Sequence, residues 1–168
     1  IMGRKTWESL PLRPLPGLAV LMCGVAGSGK TAFAMALEEA GLLRLSIDEE
    51  VWRRHGRYGV DFPADAYPAL LEPVRAWLRS EVGEAVRGGQ AVVIDSSFWS
   101  RTHRDEFKAE IERAGGRWRL IYLHAQPELL QRRLADRREQ TDLRGAIPVD
   151  DAMLARFLRS FQAPVGEG

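Results

Sequence analysis

The chain has 168 residues, 45% hydrophobic and 28% charged, with 24 basic against 23 acidic side chains and a formal net charge of +1. That is enough for one domain with a real core and too little for two. It gives no global basic signal for nucleic acid or a membrane surface, no apolar run approaches the ~20 residues of a bilayer-spanning helix, and the lone Cys23 excludes an internal disulfide and fits a cytoplasmic setting.

Residues 1–17 read IMGRKTWESLPLRPLPG. Gly3, Arg4 and Thr6, followed by Pro14-Leu15-Pro16-Gly17, resemble an internal piece of dihydrofolate reductase. There a Gly-Arg-x-Thr turn opens a helix and a Pro-Leu-Pro-Gly link leads to a strand. The rest of that enzyme has no counterpart in this chain. The segment is therefore expected to be foreign to the domain that follows, with Pro11, Pro14 and Pro16 making its second half an extended linker.

Residues 18–23 (LAVLMC) are a short unbroken apolar run, the pattern of a strand buried on both faces. Cys23 at its end is expected to be a small buried hydrophobe. Gly24-x-x-x-x-Gly29-Lys30-Thr31 then matches the phosphate-loop pattern in full. Residues 31–40 are good helix formers, and Gly41 is a stop. This order has a chemical reason. A glycine-rich turn points successive backbone N–H groups inward as an anion nest. The helix start adds unpaired N–H groups and the positive end of its dipole. Gly24, Ala26, Gly27, Ser28 and Gly29 are thus the expected phosphate cradle. Lys30 is suited to the β- and γ-phosphates, and the Thr31 hydroxyl to one position on Mg²⁺. Side chains at Gly27 and Gly29 would block close approach.

Residues 42–47 (LLRLSI) are a second strand candidate, with Asp48 at its carboxyl end and a helical stretch to Arg54. Gly56 and Gly59 break the pattern before a loop over 58–67. Residues 68–87 read as a long helix, with Leu70, Leu71, Val74, Trp77, Leu78, Val82 and Val86 at three- and four-residue spacing. Pro73 lies early enough in it to be tolerated or to kink it. Residues 91–94 are a third strand ending at Asp95, and Ser100 is a plausible N-cap for a helix to about residue 114. Residues 118–124 are a fourth strand, and Pro127 opens a helix to about 138. Residues 140–148 are polar. A last helix spans 150–161, and the tail from 162 to 168 is expected to be loose. Alternating strands and helices imply a parallel sheet.

Four stretches together resemble the P-loop kinase group, which includes polynucleotide 5′-kinase domains, chloramphenicol phosphotransferase, gluconate kinase and zeta toxins, and in which the label AAA family ATPase is common. They are GVAGSGKT, Ser46-Ile47-Asp48, Val93-Ile94-Asp95-Ser96-Ser97-Phe98, and Tyr122-Leu123-x-Ala-x-Pro127-Glu128-x-Leu130-x-Arg132-Arg133-Leu134. The resemblance covers residues 18–164, with 165–168 as a tail. It implies an α/β fold, a three-layer α/β/α sandwich with a parallel sheet of order 2-3-1-4. A fifth edge strand commonly follows in relatives and is expected to be lacking here.

The resemblance also implies roles. Asp48 would be the general base, taking a proton from an acceptor hydroxyl; the rival reading makes it a helix N-cap, followed by Glu49 and Glu50. Asp95 would hold Mg²⁺, partly through water; its rival is a strand-end turn. Of the arginines after the fourth strand, Arg132 would bind nucleotide, and Arg133 and Arg137 would cover the transferred phosphoryl group. For these and Arg138 the rival is a solvated helix face paired with Glu128, Asp136 and Glu139. Arg53 and Arg54 are candidates for an anionic substrate. Trp52, Tyr58, Phe62, Phe98 and Trp99 are candidates for stacking on an acceptor. His55, His103 and His124 show no metal-ligand spacing.

The expectation is an ATP- and Mg²⁺-dependent phosphotransferase acting on a hydroxyl of a small molecule, or on a nucleic-acid end. The rivals are a nucleotide-binding module or an ATPase without kinase activity. A GTPase is disfavoured, because the Asn/Thr-Lys-x-Asp guanine motif is missing from the sequence.

Overall fold

The computed structural model describes residues 15–138 and 147–167. Its centre is a four-stranded sheet of β1 (Leu18–Cys23), β2 (Leu43–Ser46), β3 (Val92–Asp95) and β4 (Arg117–Tyr122), all parallel, in the order β2-β3-β1-β4. Around it lie α1 (Lys30–Glu39), α2 (Ile47–His55), α3 (Tyr67–Arg87), α4 (Arg101–Arg113), α5 (Pro127–Arg138) and α6 (Asp151–Ser160). This is the α/β architecture and strand order that the resemblance implied. Among the described residues the sheet has no fifth strand.

The apolar runs have the reason proposed for them. Strand side chains alternate between faces, so β1 needs apolar residues throughout. Ala19, Leu21 and Cys23 pack with α2, α3 and α4 residues such as Val51, Val74, Leu78, Val82, Phe107 and Ile111. Val20 and Met22 pack on the other face with Ala34 and Leu37 of α1. A third cluster, Val25, Leu130, Leu134, Val149 and Leu154, fastens α5 and α6 against the loop after β1.

Several boundaries differ from expectation. The third strand keeps Asp95 within its ladder, with Ser46 as its cross-strand partner. The second strand ends at Ser46, and Ile47 already opens α2. Pro73 lies inside α3, which continues to Arg87. The expected foreign segment falls mostly outside the described residues. Its last residue, Gly17, is tied into the domain: its N–H donates to the Gly89 carbonyl at 3.3 Å and its carbonyl accepts from Arg117 at 2.9 Å. The polar stretch at 140–148 also lies outside the described residues up to 146.

The expectation of a loose tail does not hold at Gln162 and Glu167. The Gln162 N–H donates to the Trp99 carbonyl and its side chain accepts from the Arg101 N–H, at 2.9 and 2.8 Å. The Glu167 carboxylate is 3% exposed and bonded to Arg104 and Lys108. Composition suggested freedom; a buried ion cluster removes it.

Candidate active site

Parallel strands bring their carboxyl ends to one edge, where an open α/β sheet binds ligands. Here that edge carries the loop after β1, Asp95 at the end of β3, and Asp48 in the first turn of α2 after β2.

The loop has the backbone that its glycines predict. Gly24, Gly27 and Gly29 have φ of 149°, 83° and 100°. A Cβ on Gly24 would sit 2.6 Å from the Leu123 carbonyl oxygen, and one on Gly27 would sit 3.2 Å from Leu134 Cγ. Gly29 occupies the N-cap position of α1 and so offers no capping side chain; the first turn of that helix also lacks an acidic residue. Among the described residues no acceptor takes the backbone N–H of Gly27, Gly29, Lys30 or Thr31. The Ser28 hydroxyl is buried with no hydrogen-bond partner among them. Orphaned buried polar groups are costly and uncommon. Around this buried hydroxyl, the open backbone N–H groups of Gly27, Gly29, Lys30 and Thr31 at an uncapped helix start fit an anion.

Lys30 reaches back over this turn, and its Nζ donates to the Val25 carbonyl at 3.0 Å. Burial pushes the Lys30 ammonium below its usual range, while Asp95 and Asp48 pull it back up. A partly buried ammonium facing an anion nest is an arrangement that attracts phosphate.

The Thr31 hydroxyl lies 3.4 Å from Asp95 Oδ1. Asp95 is 6% exposed, and burial raises its carboxyl above the usual range against the pull of Thr31, Arg44 and Lys30. Among the described residues no three His, Cys, Asp or Glu side chains converge as a metal cage. Mg²⁺ typically rests on one or two protein oxygens plus substrate phosphates. Thr31 and Asp95 are a donor pair of that kind, and they fit the ion only alongside a bound polyphosphate.

Asp48 is not the cap of α2. Ser46 takes that position, its hydroxyl accepting from the Glu49 N–H at 3.4 Å. Asp48 Oδ1 instead accepts a hydrogen bond from the Tyr67 hydroxyl at 3.1 Å. The carboxylate is open to water on one side and crowded by protein on the others. This crowding pushes it above the usual carboxylate range, Asp95 adds to the push, and Tyr67, Lys30 and Arg137 oppose it. The raised direction is the one a base working near neutrality needs.

The arginines separate. Arg133 Nη1 lies over the loop and donates to the Gly27 carbonyl at 3.2 Å. Arg137 is half-buried, donates to the Ile147 carbonyl at 3.1 Å and stands within the field of Asp48. Arg132 is exposed and makes no bond to the loop among the described residues. Arg138 lies 3.8 Å from Asp151. Arg53 and Arg54 do not present free cations: both bond the Glu50 carboxylate, Arg53 at 2.6 and 2.8 Å and Arg54 at 2.6 Å, and Arg54 also stacks on Trp77. Of the candidate aromatics, Phe98 is core at 2% exposure. Tyr58 and Phe62 pack with Tyr67 rather than facing open solvent.

Two residues of the site carry no motif. Arg44, 9% exposed in β2, donates to Asp95 Oδ2 at 3.1 Å and to Glu38 at 3.0 Å, and also bonds Glu49. Its guanidinium partly neutralises Asp95 from the side opposite Thr31. Tyr67 is the other.

Comparison with known proteins gives a family and a fold. A family profile described as AAA_33, an AAA domain, matches residues 20–164. Among solved structures, a gluconokinase from Sinorhizobium meliloti 1021 superposes with a TM-score of 0.61 at 23% identity, covering 92% of this chain and 80% of that one. A sugar kinase from Janibacter sp. gives 0.59 at 20%, covering 89% and 80%. A chain of the Pnkp1/Rnl/Hen1 RNA repair complex gives 0.70 at 18%, covering 87% of this chain and 44% of that one. At these identities the likeness is one of fold. No match was found among curated proteins.

Proposed function

The chain belongs to the AAA-domain family AAA_33, and from that membership and the geometry at the sheet edge we propose that it is an ATP-dependent phosphotransferase with an alcohol acceptor. The observation that carries the reading is the turn with free backbone N–H groups at Gly27, Gly29, Lys30 and Thr31, with the Lys30 side chain folded over it and two carboxylates, Asp48 and Asp95, within its electrostatic reach. A simple anion-binding turn needs the donors and the lysine. It does not need a carboxylate lifted above its usual range beside them.

In this reading the loop 24–31 binds the phosphate tail, and its N–H groups and Lys30 hold negative charge in a fixed place. Thr31 and Asp95 would hold Mg²⁺, which when bound would supply neutralisation of phosphate charge. Arg44 offsets part of the charge on Asp95. Asp48 accepts the proton of the acceptor hydroxyl. Arg133 lies over the loop and Arg137 near Asp48, and both face the charge that develops during transfer. Arg132 remains a candidate only for the outer part of the nucleotide. Little covalent chemistry is asked of the protein, so positioning carries most of the rate.

The acceptor is a small molecule or a nucleic-acid end. The fold-level neighbours include a gluconokinase, a sugar kinase and a chain of an RNA repair complex. The net charge of +1 favours the small molecule, because a polynucleotide groove draws on many cations. No described helix is long and apolar enough to cross a membrane, and a cytoplasmic setting is part of the same reading.

The test is a transfer assay with γ-labelled ATP and Mg²⁺ against gluconate, a neutral hexose and a 5′-hydroxyl oligoribonucleotide, run on the wild type and on Lys30→Ala. Label moving to one acceptor, and lost in the variant, supports the reading. Nucleotide binding without transfer to any acceptor would leave a binding module; hydrolysis that no acceptor stimulates would leave an ATPase.

A further inference from the structure

Asp48 stands in the first turn of α2, yet Ser46 has taken the cap, so the free N–H groups of that helix start do not orient its carboxylate. Among the described residues its one hydrogen bond comes from Tyr67, 19 positions along the chain, at 3.1 Å. Tyr67 is the first residue of α3 and follows a short 3₁₀ turn at Ala64–Ala66. Its ring is held from two sides. Tyr58 meets it edge-on with ring centres 5.5 Å apart, and Phe62 stacks nearly parallel at 6.4 Å. Those two rings are fixed against each other at 6.0 Å, and the turn that carries them is closed by the Gly59 N–H to Phe62 carbonyl bond at 2.9 Å. The loop between α2 and α3 thus builds a rigid mount for one phenol, and that phenol touches the carboxylate.

We propose that the Tyr67 hydroxyl is a positioning group for the transfer reaction, pinning one oxygen of Asp48 so that the other takes the acceptor proton. The proposal rests on the phosphotransferase reading. An aspartate without this bond has three staggered χ1 wells to choose from. A general base works only within hydrogen-bond reach of its proton, and a displacement of ~1 Å can cost about a hundredfold in rate. The phenol also keeps the carboxylate from turning toward the other charges facing it, Lys30 on α1 and Arg137 on α5, while Asp95 on β3 repels it.

Tyr67→Phe removes the hydroxyl and keeps the ring on which Tyr58 and Phe62 pack. The experiment is a double-mutant cycle with Asp48→Asn, using whichever of gluconate, the neutral hexose or the 5′-hydroxyl oligoribonucleotide accepts label. It reads kcat and KM for that acceptor, binding of a fluorescent ATP analogue, and the melting temperature. Tyr67→Phe alone is expected to lower kcat about tenfold, with nucleotide affinity and melting within twofold and 2 °C of wild type on the order of typical single-bond losses. In the Asp48→Asn background the same change is expected to cost less than about twofold, because the group it positions is gone. An unchanged kcat in the single variant overturns the inference, and so does an equal loss in both backgrounds, which would mark a role in folding alone. A wild type that labels none of the three acceptors sinks the phosphotransferase reading itself, and is told apart because no rate then exists to compare.

Discussion

Replacing Glu167 by Gln keeps its shape and removes its charge. The carboxylate is 3% exposed and bonds Arg104 Nη2 at 2.6 Å, Arg104 Nε at 2.8 Å and Lys108 Nζ at 2.9 Å; Arg104 itself is 1% exposed. The paired guanidinium holds the Glu167 carboxyl down from 4.5 to about 2. At ~1.36 kcal/mol per pH unit this is worth about 3 kcal/mol. A second route reaches the same size: removing one member of a buried ion pair costs ~3–5 kcal/mol, because its partners stay buried and unmatched. For a chain of this length ~1 kcal/mol moves the melting temperature by ~2–4 °C, so the variant should melt roughly 6–12 °C below wild type at pH 7. The sign with pH follows from the depressed value. The stabilisation is complete above 4.5 and is lost as pH falls toward about 2, so the two melting curves should converge across that window. Thermal unfolding followed by circular dichroism at pH 7 and at steps down to pH 2.5 measures both, with the exposed Glu39→Gln as control. A variant melting within about 2 °C of wild type at pH 7, or a gap that stays constant in acid, would refute the claim that this ion cluster holds the tail.

Asp48 should give the transfer rate its acid limb. Because crowding raises its carboxyl, activity should fall as pH drops through a point above the ordinary aspartate value of 3.8, and Asp48→Asn should flatten that limb and cut kcat by ~10²–10⁴; an acid limb that survives in the variant would assign it to another group. Gly27→Ala puts a Cβ on a residue at φ 83°, 3.2 Å from Leu134 Cγ and 3.3 Å from the Leu130 carbonyl oxygen. Left-handed backbone costs an alanine ~1–2 kcal/mol, so the loop should shift, weakening nucleotide binding more than tenfold while the circular dichroism spectrum stays native; binding measured by titration of a fluorescent ATP analogue checks it.

What could be read from the sequence, and what could not, follows from the range of each interaction. The loop after β1 was legible because its function lies in the main chain. Glycine is the residue that takes φ of 83° or 100° without strain, so the spelling and the conformation are nearly the same statement. The two central strands, β1 and β3, were legible because a sheet covered on both faces selects a continuous apolar run. Asp95 and Asp48 were legible by place, since parallel topology collects strand ends at one edge. Arg53 and Arg54 show the limit. Their spacing from Asp48 suggested an anion site, but Glu50, one helical turn away on the same face, claims both of them. A local competitor of that kind is visible in the sequence, and only the packing of α2 decides which partner wins.

The remaining contacts share one property: they join side chains far apart in the chain, at no period. Tyr67 meets Asp48 across 19 residues, Arg44 meets Asp95 across 51, and Arg104 meets Glu167 across 63. Neither helical nor strand periodicity encodes such a pair. Yet all three converge on the sheet edge. Arg104 also donates to the Phe98 carbonyl at 2.8 Å, where Phe98 has φ of 42°. The preceding carbonyl, of Ser97, takes the N–H of Gly24 at 3.0 Å. The buried tail therefore braces, through Arg104, the turn after β3 that anchors the first glycine of the phosphate loop. A loop rich in glycine is entropically free in isolation. Its fixed geometry has to be supplied by neighbours, and here those neighbours are long-range polar contacts. The motif thus states what the loop does, and the non-local ion and hydrogen-bond network is what holds it still enough to do it.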